Sequence, residues 1–304
     1  MPFSGFESPR VQNTTPGRGD GREPSTATLD QLAHAENFPV ALRVLPRSVR
    51  ADLRAVYAVA RTIDELGDSA PGDRTAALAD FRTDLHRVWA GRTPRRAVLR
   101  SLVPTVRAHE LEATPFDRLI DANLADQHTH TYDTFDELIG YCTLSADPIG
   151  RLVLAVFDQD TPPARALSDT VCRALQLLEH WQDVAEDRRA GRVYLPREDM
   201  VRFGVTGTDL DAAHANDAVR RLMRFEIDRA SELLESGAPL VGMLRGWARV
   251  AVAGYVAGGR AAAHGLRRTG GDVLGIEAIT RKRDVFRSAC ALSLRPPSAK
   301  EAVA

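Results

Sequence analysis

Two aspartate pairs, Asp64/Asp68 in RTIDELGD and Asp183/Asp187 in HWQDVAED, each close an apolar run with helical periodicity. A fold that buries those runs must bring four carboxylates to the edge of its interior. Ahead of the first pair the run is Leu53, Val56, Tyr57, Val59, Ala60 and Ile63; ahead of the second it is Val171, Ala174, Leu175, Leu177, Leu178 and Trp181. Side chains four apart on an α-helix lie on one face a turn apart, so each pair aims two carboxylates in one direction. On a solvated face such a pair is mildly destabilising and needs no explanation. Beside an apolar interior it is costly unless a cation compensates it. Mg²⁺ prefers oxygen ligands and is commonly held by one or two carboxylates together with substrate phosphate oxygens. The arrangement therefore points to a metal-bound diphosphate.

The rest of the chain fits a large all-α domain. Its 304 residues suffice for one sizeable core. From Thr28 onward, helices are expected over 28–36, 39–44, 47–67, 72–90, 94–111, 115–126, 134–157, 164–190, 196–203, 207–236, 238–266 and 273–291, separated by breaks at Pro, Gly, Asn and Asp. Alternating strand patterns are nearly absent, so the active site is expected between helices of a bundle, around a central cavity. Residues 1–27 are rich in Pro, Gly, Ser, Thr and Arg without periodicity and read as a disordered tail. The functional domain is then 28–293, and 294–304 a flexible tail.

Charge and cysteine usage exclude several classes. Lys and Arg total 40 against 41 acidic residues, a formal net charge of −1, so no basic field draws nucleic acid. Nearly all the cations are arginine, whose rigid fork matches phosphate. Cys142, Cys172 and Cys290 lack metal-ligand spacing and read as reduced thiols, and no secretory leader opens the sequence; both point to a cytoplasmic protein. The most membrane-like stretch, 243–264, carries Arg245, Arg249 and Arg260 and does not read as a span. Peripheral contact with the inner membrane face stays open.

Further residues sharpen the chemistry. Arg61 lies three residues before Asp64 on the same face, and Arg188, Arg189 and then Gly191–Arg192 follow the second pair. For Arg61, Arg188 and Arg189, intrahelical salt bridging and contact with a diphosphate weigh about equally; Arg192 leans towards the diphosphate. Gln176 and Glu179 extend the face of Asp183, and Glu179 is a candidate third metal ligand. In YCTLSADPIG (141–150), Asp-Pro breaks an apolar helix, and Ser145, Ala146 and Gly150 offer room for a bulky apolar ligand as well as for an ordinary helix junction. Tyr57 and Tyr141 are rings that either face such a cavity or fill the core.

AENFPVALRVLP (35–46), YAVARTIDELGD (57–68), YCTLSADPIGRL (141–152) and ALQLLEHWQDVAEDRRAGRVYLPREDMVRFGV (174–205) resemble the squalene/phytoene synthases, most of all their bacterial hydroxysqualene synthase branch. The resemblance covers nearly everything after residue 30. It implies an all-α isoprenoid-synthase fold in a single domain, with two or three Mg²⁺ ions and conversion of presqualene diphosphate and water into hydroxysqualene and diphosphate, in hopanoid or squalene biosynthesis. Carried over by position, Asp64, Asp68, Asp183 and Asp187 hold the metal, and with Tyr141 they form the catalytic set; Glu179 stays a candidate ligand on its place beside Asp183. Asn37, Phe38, Tyr57, Arg61, Gln176 and Arg192 match substrate-binding positions, and Arg188 joins them as a candidate from its place after the second pair. Two positions depart from the branch: Glu179 stands where asparagine is usual, and Asp147 where SAN precedes proline. Each adds negative charge.

The mechanism expected is electrophilic, with metal and arginines neutralising the departing diphosphate and aromatic faces steering the cation by contacts of about 0.5–2 kcal/mol each. No glycine-rich dinucleotide fingerprint is present, so NADPH is not supported. Three alternatives stand beside this reading. They are condensation of two farnesyl diphosphates to presqualene diphosphate or squalene, cyclisation of one prenyl diphosphate, and a non-catalytic scaffold for pathway partner enzymes.

Overall fold

The computed structural model describes residues 45–276 and Ala278. Among them the backbone is helical, and the sole strand-like pairing is an isolated parallel bridge between Thr131 and Val193. The expectation of an all-α chain holds. The predicted helices 28–36 and 39–44, both tails, Asn37, Phe38 and Cys290 lie outside the described residues. Of the predicted helix 273–291, residues 273–276 form a turn and bend instead.

In chain order the helices are α1 Arg47–Asp68, α2 Arg74–Leu85, α3 Ala97–His109, α4 Thr114–Ala125, α5 Phe135–Ser145, α6 Asp147–Val156, α7 Pro162–Gln182, α8 Val184–Arg189, α9 Arg197–Phe203, α10 Gly207–Leu210, α11 Asp217–Gly237, α12 Leu240–Met243 and α13 Gly246–Arg268. In α1, Leu53, Val56, Ala60, Ile63 and Gly67 recur at three- and four-residue steps as the buried stripe. Four helices begin on a side-chain cap: Asp73, Thr134, Thr161 and Asn216 each accept the backbone N–H three residues on.

The Asn216 cap explains one correction to the expected boundaries. The stretch 207–236 is not continuous; α10 stops at Leu210, and α11 restarts where Asn216 accepts from Val219 N at 3.0 Å. The stretch 238–266 divides likewise into α12 and α13, and 134–157 is broken at Ala146, ahead of Pro148. The stretch 164–190 breaks at Asp183, whose φ of −103° and ψ of 10° leave the helical basin.

Apolar side chains gather in two clusters. One unites α1 to α4 through residues such as Leu53, Ile63, Phe81, Leu102 and Phe116; the other unites α5, α7, α11 and α13 through Leu138, Trp181, Met223, Ile227 and Val256. Helix α6 feeds both, placing Leu152 and Val156 in the first and Leu154 in the second. Asp64 and Asp68 thus ride on the first cluster, and Asp183 and Asp187 on the second.

Helices α6 and α7 approach closely at Gly150, where a Cβ would lie 2.4 Å from Ser168 Oγ and 2.6 Å from Cys172 Sγ. Reciprocal ion pairs flank the contact. Arg173 donates to Asp147 at 2.9 and 2.6 Å, and Arg151 donates to Asp169 at 3.2 and 2.8 Å. Each helix supplies one Asp and one Arg four residues apart. The departure at Asp147 therefore has a structural partner: its carboxylate is fully buried, burial raises its pKa, and Arg173 opposes that rise. Among the described residues one helical stretch, Phe135–Val156, is long and apolar enough to cross a membrane, and half of its most apolar window is buried inside the fold.

Removing the partner of a buried charge costs more than removing the pair. Arg173→Met is expected to lower stability by about 3 kcal/mol. Asp147→Asn/Arg173→Met should recover most of that loss in denaturant titrations, and a double variant no more stable than Arg173→Met would show that the pair is not what Asp147 needs.

Candidate active site

On α1, Tyr57, Arg61, Asp64 and Asp68 fall at i, i+4, i+7 and i+11 and share a face. Arg61 Nε lies 3.4 Å from Glu65 Oε1, so the first cation pairs within its own helix. Asp64 Oδ1 accepts from Asn123 Nδ2 of α4 at 3.2 Å. In the turn that follows α4, Gln127 Nε2 donates to Gly67 O and to Asn123 O, both at 3.0 Å.

The second pair keeps its i,i+4 relation across the break at Asp183. Asp183 N donates to Glu179 O at 3.1 Å, and Asp187 N donates to Asp183 O at 2.8 Å. The helical ladder thus continues through a residue in the bridge region, where active-site residues are often found. Asp183 reaches solvent but is hemmed in by protein, and that burial, with the Glu186 charge, raises its pKa. Asp187 is pushed up to about 6 by burial and by Asp183, against the pull of Arg192.

Arg192 joins the two pairs. Gly191, at φ 84°, ends α8 in the left-handed region, and Arg192 N donates to Asp187 O at 2.8 Å, which turns the chain back over the helix end. The guanidinium then donates to Asp68 Oδ1 at 2.9 Å and lies 3.7 Å from Asp187 Oδ1. Burial would lower its pKa; Tyr194, Asp68 and Asp187 outweigh that and raise it. Arg188 instead anchors the turn after α10, donating to Asp211 at 2.7 and 2.9 Å, and Arg189 Nε donates to Ala185 O.

Beside Arg192 lies a ring cluster with a fifth carboxylate. Tyr141 OH donates to Asp126 Oδ2 at 2.8 Å, while Asp126 Oδ1 is buried with no hydrogen-bond partner among the described residues. Burial pushes Asp126 up to about 6, with Tyr141 and Arg192 opposing the rise. The Tyr132, Tyr141 and Tyr194 rings pack with centroids 5.6–5.8 Å apart, and His180 stacks on Tyr194 at 3.7 Å. Burial, then the Arg192 charge, lowers the His180 pKa to about 3, so the ring is neutral near pH 7; Gln176 Nε2 lies 3.4 Å from its Nε2 and donates to it. The pairing of residues 130–133 with 193–198, through bonds such as Val193 N to His130 O at 2.8 Å, sets Tyr194 beside Tyr132.

An apolar cavity of about 220 Å³ adjoins this polar group. Ser145, Ala146 and Gly150 line it, with Leu175, Leu240, Val252 and Tyr255, and Gln176 and the exposed Glu179 lie along its border. The helix break at Ala146 thus opens onto a cavity, as room for a bulky ligand requires. Tyr57 is half-buried on α1.

No three His, Cys, Asp or Glu side chains converge as a ready-made metal cage among the described residues. The donor set still fits Mg²⁺. It is all hard oxygen, it comes as facing pairs that leave positions for phosphate oxygens, and the raised pKa values of Asp183 and Asp187 mark carboxylates short of positive charge.

Sequence reasoning missed Asp126, Asn123, Tyr132, His180 and Tyr194. No local pattern marked Asn123 or Asp126, because the same stretch also carries Asp117, Arg118 and Asp121. The rings come from three separate segments and left no local pattern.

Comparison with known proteins agrees with this geometry. The squalene/phytoene synthase family profile matches residues 32–287. A phytoene synthase from Mycobacterium bovis is 35% identical over 213 residues, covering 68% of this chain and 69% of that protein. A hydroxysqualene synthase from Zymomonas mobilis is 32% identical over 206 residues, covering 66% and 68%. The crystal structure of the squalene synthase HpnC from Alicyclobacillus acidocaldarius superposes with a TM-score of 0.73 at 40% identity, covering 80% of this chain and 93% of that one.

Asp126 and Asp187 titrate near 6 in the fold, against about 4 in an unfolded chain. Between those values the folded protein holds more protons than the unfolded one, so their contribution to stability falls as pH rises. In metal-free buffer the thermal midpoint of the parent relative to Asp126→Asn/Asp187→Asn is expected to fall from about pH 4 to pH 7; His180, whose lowered pKa acts in the opposite direction, is present in both proteins and cancels. Glu226, pushed up to about 7 by burial, stays in both proteins and cancels in the comparison. Equal slopes would rule out Asp126 and Asp187 as the source.

Proposed function

The chain belongs to the squalene/phytoene synthase family and is an enzyme acting on prenyl diphosphates; from that premise we propose that it ionises presqualene diphosphate and directs water onto the resulting cation, giving hydroxysqualene and diphosphate. The observation that carries this reading is Arg192 spanning Asp68 and Asp187 next to His180, whose partner Gln176 lines an apolar cavity. Asp64, Asp68, Asp183 and Asp187 would hold Mg²⁺. Bound there, the metal supplies Lewis-acid neutralisation of the charge on the departing diphosphate.

The chain's own residues supply the rest. Arg192 places a fixed positive charge where the diphosphate leaves, in a partly desolvated site where it counts for more than in water. The apolar walls around Leu175, Leu240 and Val252 keep bulk water from the hydrocarbon. The rings of Tyr141, Tyr132 and Tyr194 lie at the polar end, packed on one another and on His180. Water adding to that cation must lose a proton. Asp126, near 6 and hydrogen-bonded to Tyr141 OH, is an acceptor of suitable basicity. His180 stays neutral and adds no charge opposing the cation.

Similarity to a phytoene synthase motivates the second reading, head-to-head condensation of two prenyl diphosphates. Cyclisation of a single prenyl diphosphate uses the same ionisation. Purified protein incubated with Mg²⁺ and either presqualene or farnesyl diphosphate separates these by product mass. Hydroxysqualene from presqualene diphosphate is the expected result. Consumption of farnesyl diphosphate alone would move the enzyme to condensation or cyclisation. Asp64→Asn and Asp183→Asn should each lower turnover by about 10²-fold with little change in thermal midpoint; full activity in both would remove the clamp. Glu179→Asn is expected to change the Mg²⁺ requirement or the product, and an unchanged enzyme would show that Glu179 is not a ligand.

A further inference from the structure

We infer that Asn123 is a positioning residue that sets the orientation of Asp64 and thereby the affinity of the first aspartate pair for its cation. An aspartate carboxylate turns about a broad, shallow torsion, so its helix fixes where it starts but not which way its oxygens face. At Asp64 that second coordinate is supplied from another helix. Asn123 Nδ2 donates to Asp64 Oδ1 at 3.2 Å and to Leu119 O at 3.1 Å, which uses both of its hydrogens. Reversing the amide would set an oxygen against two acceptors, so the network allows one orientation.

The amide is itself held. Asn123 is buried, and its Oδ1 sits where a Cβ on Gly67 would approach to 2.1 Å. Gly67 lies between Asp64 and Asp68, so the missing side chain gives α4 access to the pair at that point. Gln127 then ties the same turn of α1 to α4 through Gly67 O without touching either carboxylate.

An amide suits this position for a reason of charge. A lysine or arginine would neutralise Asp64 and compete with a metal, whereas a neutral donor bonds Oδ1 without cancelling the carboxylate's charge. Such outer partners of metal ligands typically account for about 10–100-fold in metal affinity. Asn123 is not proposed to touch substrate.

The inference rests on the metal-clamp reading, and the test separates the two. Mg²⁺ would be titrated calorimetrically into protein saturated with inorganic diphosphate, with thermal midpoints and kcat at saturating Mg²⁺ measured alongside. Asn123→Leu keeps the size and removes the donor, and is expected to weaken Mg²⁺ binding by about 10–100-fold while kcat at saturating metal stays close to the parent's. Asn123→Ser, which fits the same space, should weaken it too and stands in if Asn123→Leu does not fold. Gln127→Met loosens the same helix contact and should leave Mg²⁺ affinity unchanged. Parent-like affinity in the Asn123 variants, with affinity lost in Asp64→Asn, overturns the positioning of Asp64 alone. Parent-like affinity in Asp64→Asn overturns the clamp and this inference with it. Equal loss in Gln127→Met and Asn123→Leu would mean that the helix contact, not the amide, is what matters, and also overturns it.

Discussion

Carboxylates drawn together at the edge of an apolar interior lose hydration and repel one another, and much of this fold is arranged around tolerating that. Asp183, Asp187 and Asp126 all have raised pKa values for which burial is the main cause. The strain is met by hydrogen bonds and by the Arg192 guanidinium, which reaches Asp68 and Asp187 together. A dense set of salt bridges would have relieved the repulsion further, but it would also have consumed the negative charge that makes the site attractive to a divalent cation. Arg61 and Arg188 are paired elsewhere, with Glu65 and Asp211.

At the α6–α7 junction, by contrast, each buried carboxylate is given an arginine of its own. The crossed pairs Asp147–Arg173 and Arg151–Asp169 join α6 to α7 with two donors to each carboxylate. They stand next to the Gly150 contact, whose small size lets the helices close and shapes one wall of the cavity. The same residue type, aspartate, is thus given complete partners in the wall and incomplete partners in the site.

Much of this was legible in the sequence, and the limits of reading it are physical. Periodic apolar spacing gave α1 almost to the residue, and the i,i+4 spacing gave both aspartate pairs. The break at Asp183 was invisible because it involves no proline or glycine and keeps the hydrogen bonds on either side. The interruption between α10 and α11 had a readable cap in Asn216 that the long apolar periodicity of α11 overshadowed. The charge at Asp147 looked like a cost because its partner, Arg173, is 26 residues away in sequence. Asn123, Asp126 and the ring cluster lie beyond local pattern altogether: Asn123 meets Asp64 across 59 residues.

The division of the apolar interior has a thermodynamic corollary. One aspartate pair is carried by the α1–α4 cluster and the other by the α7-centred cluster, with α6 shared between them. A ligand gripping both pairs therefore acts as a reversible crosslink between two halves of the molecule, and its binding free energy enters the unfolding equilibrium by mass action, about 2.7 kcal/mol at a hundredfold excess over its Kd. Cells that keep the substrate scarce would then hold a more easily opened population of this protein than cells that keep it abundant, so the supply of prenyl diphosphate would set the lifetime of the enzyme as well as its rate.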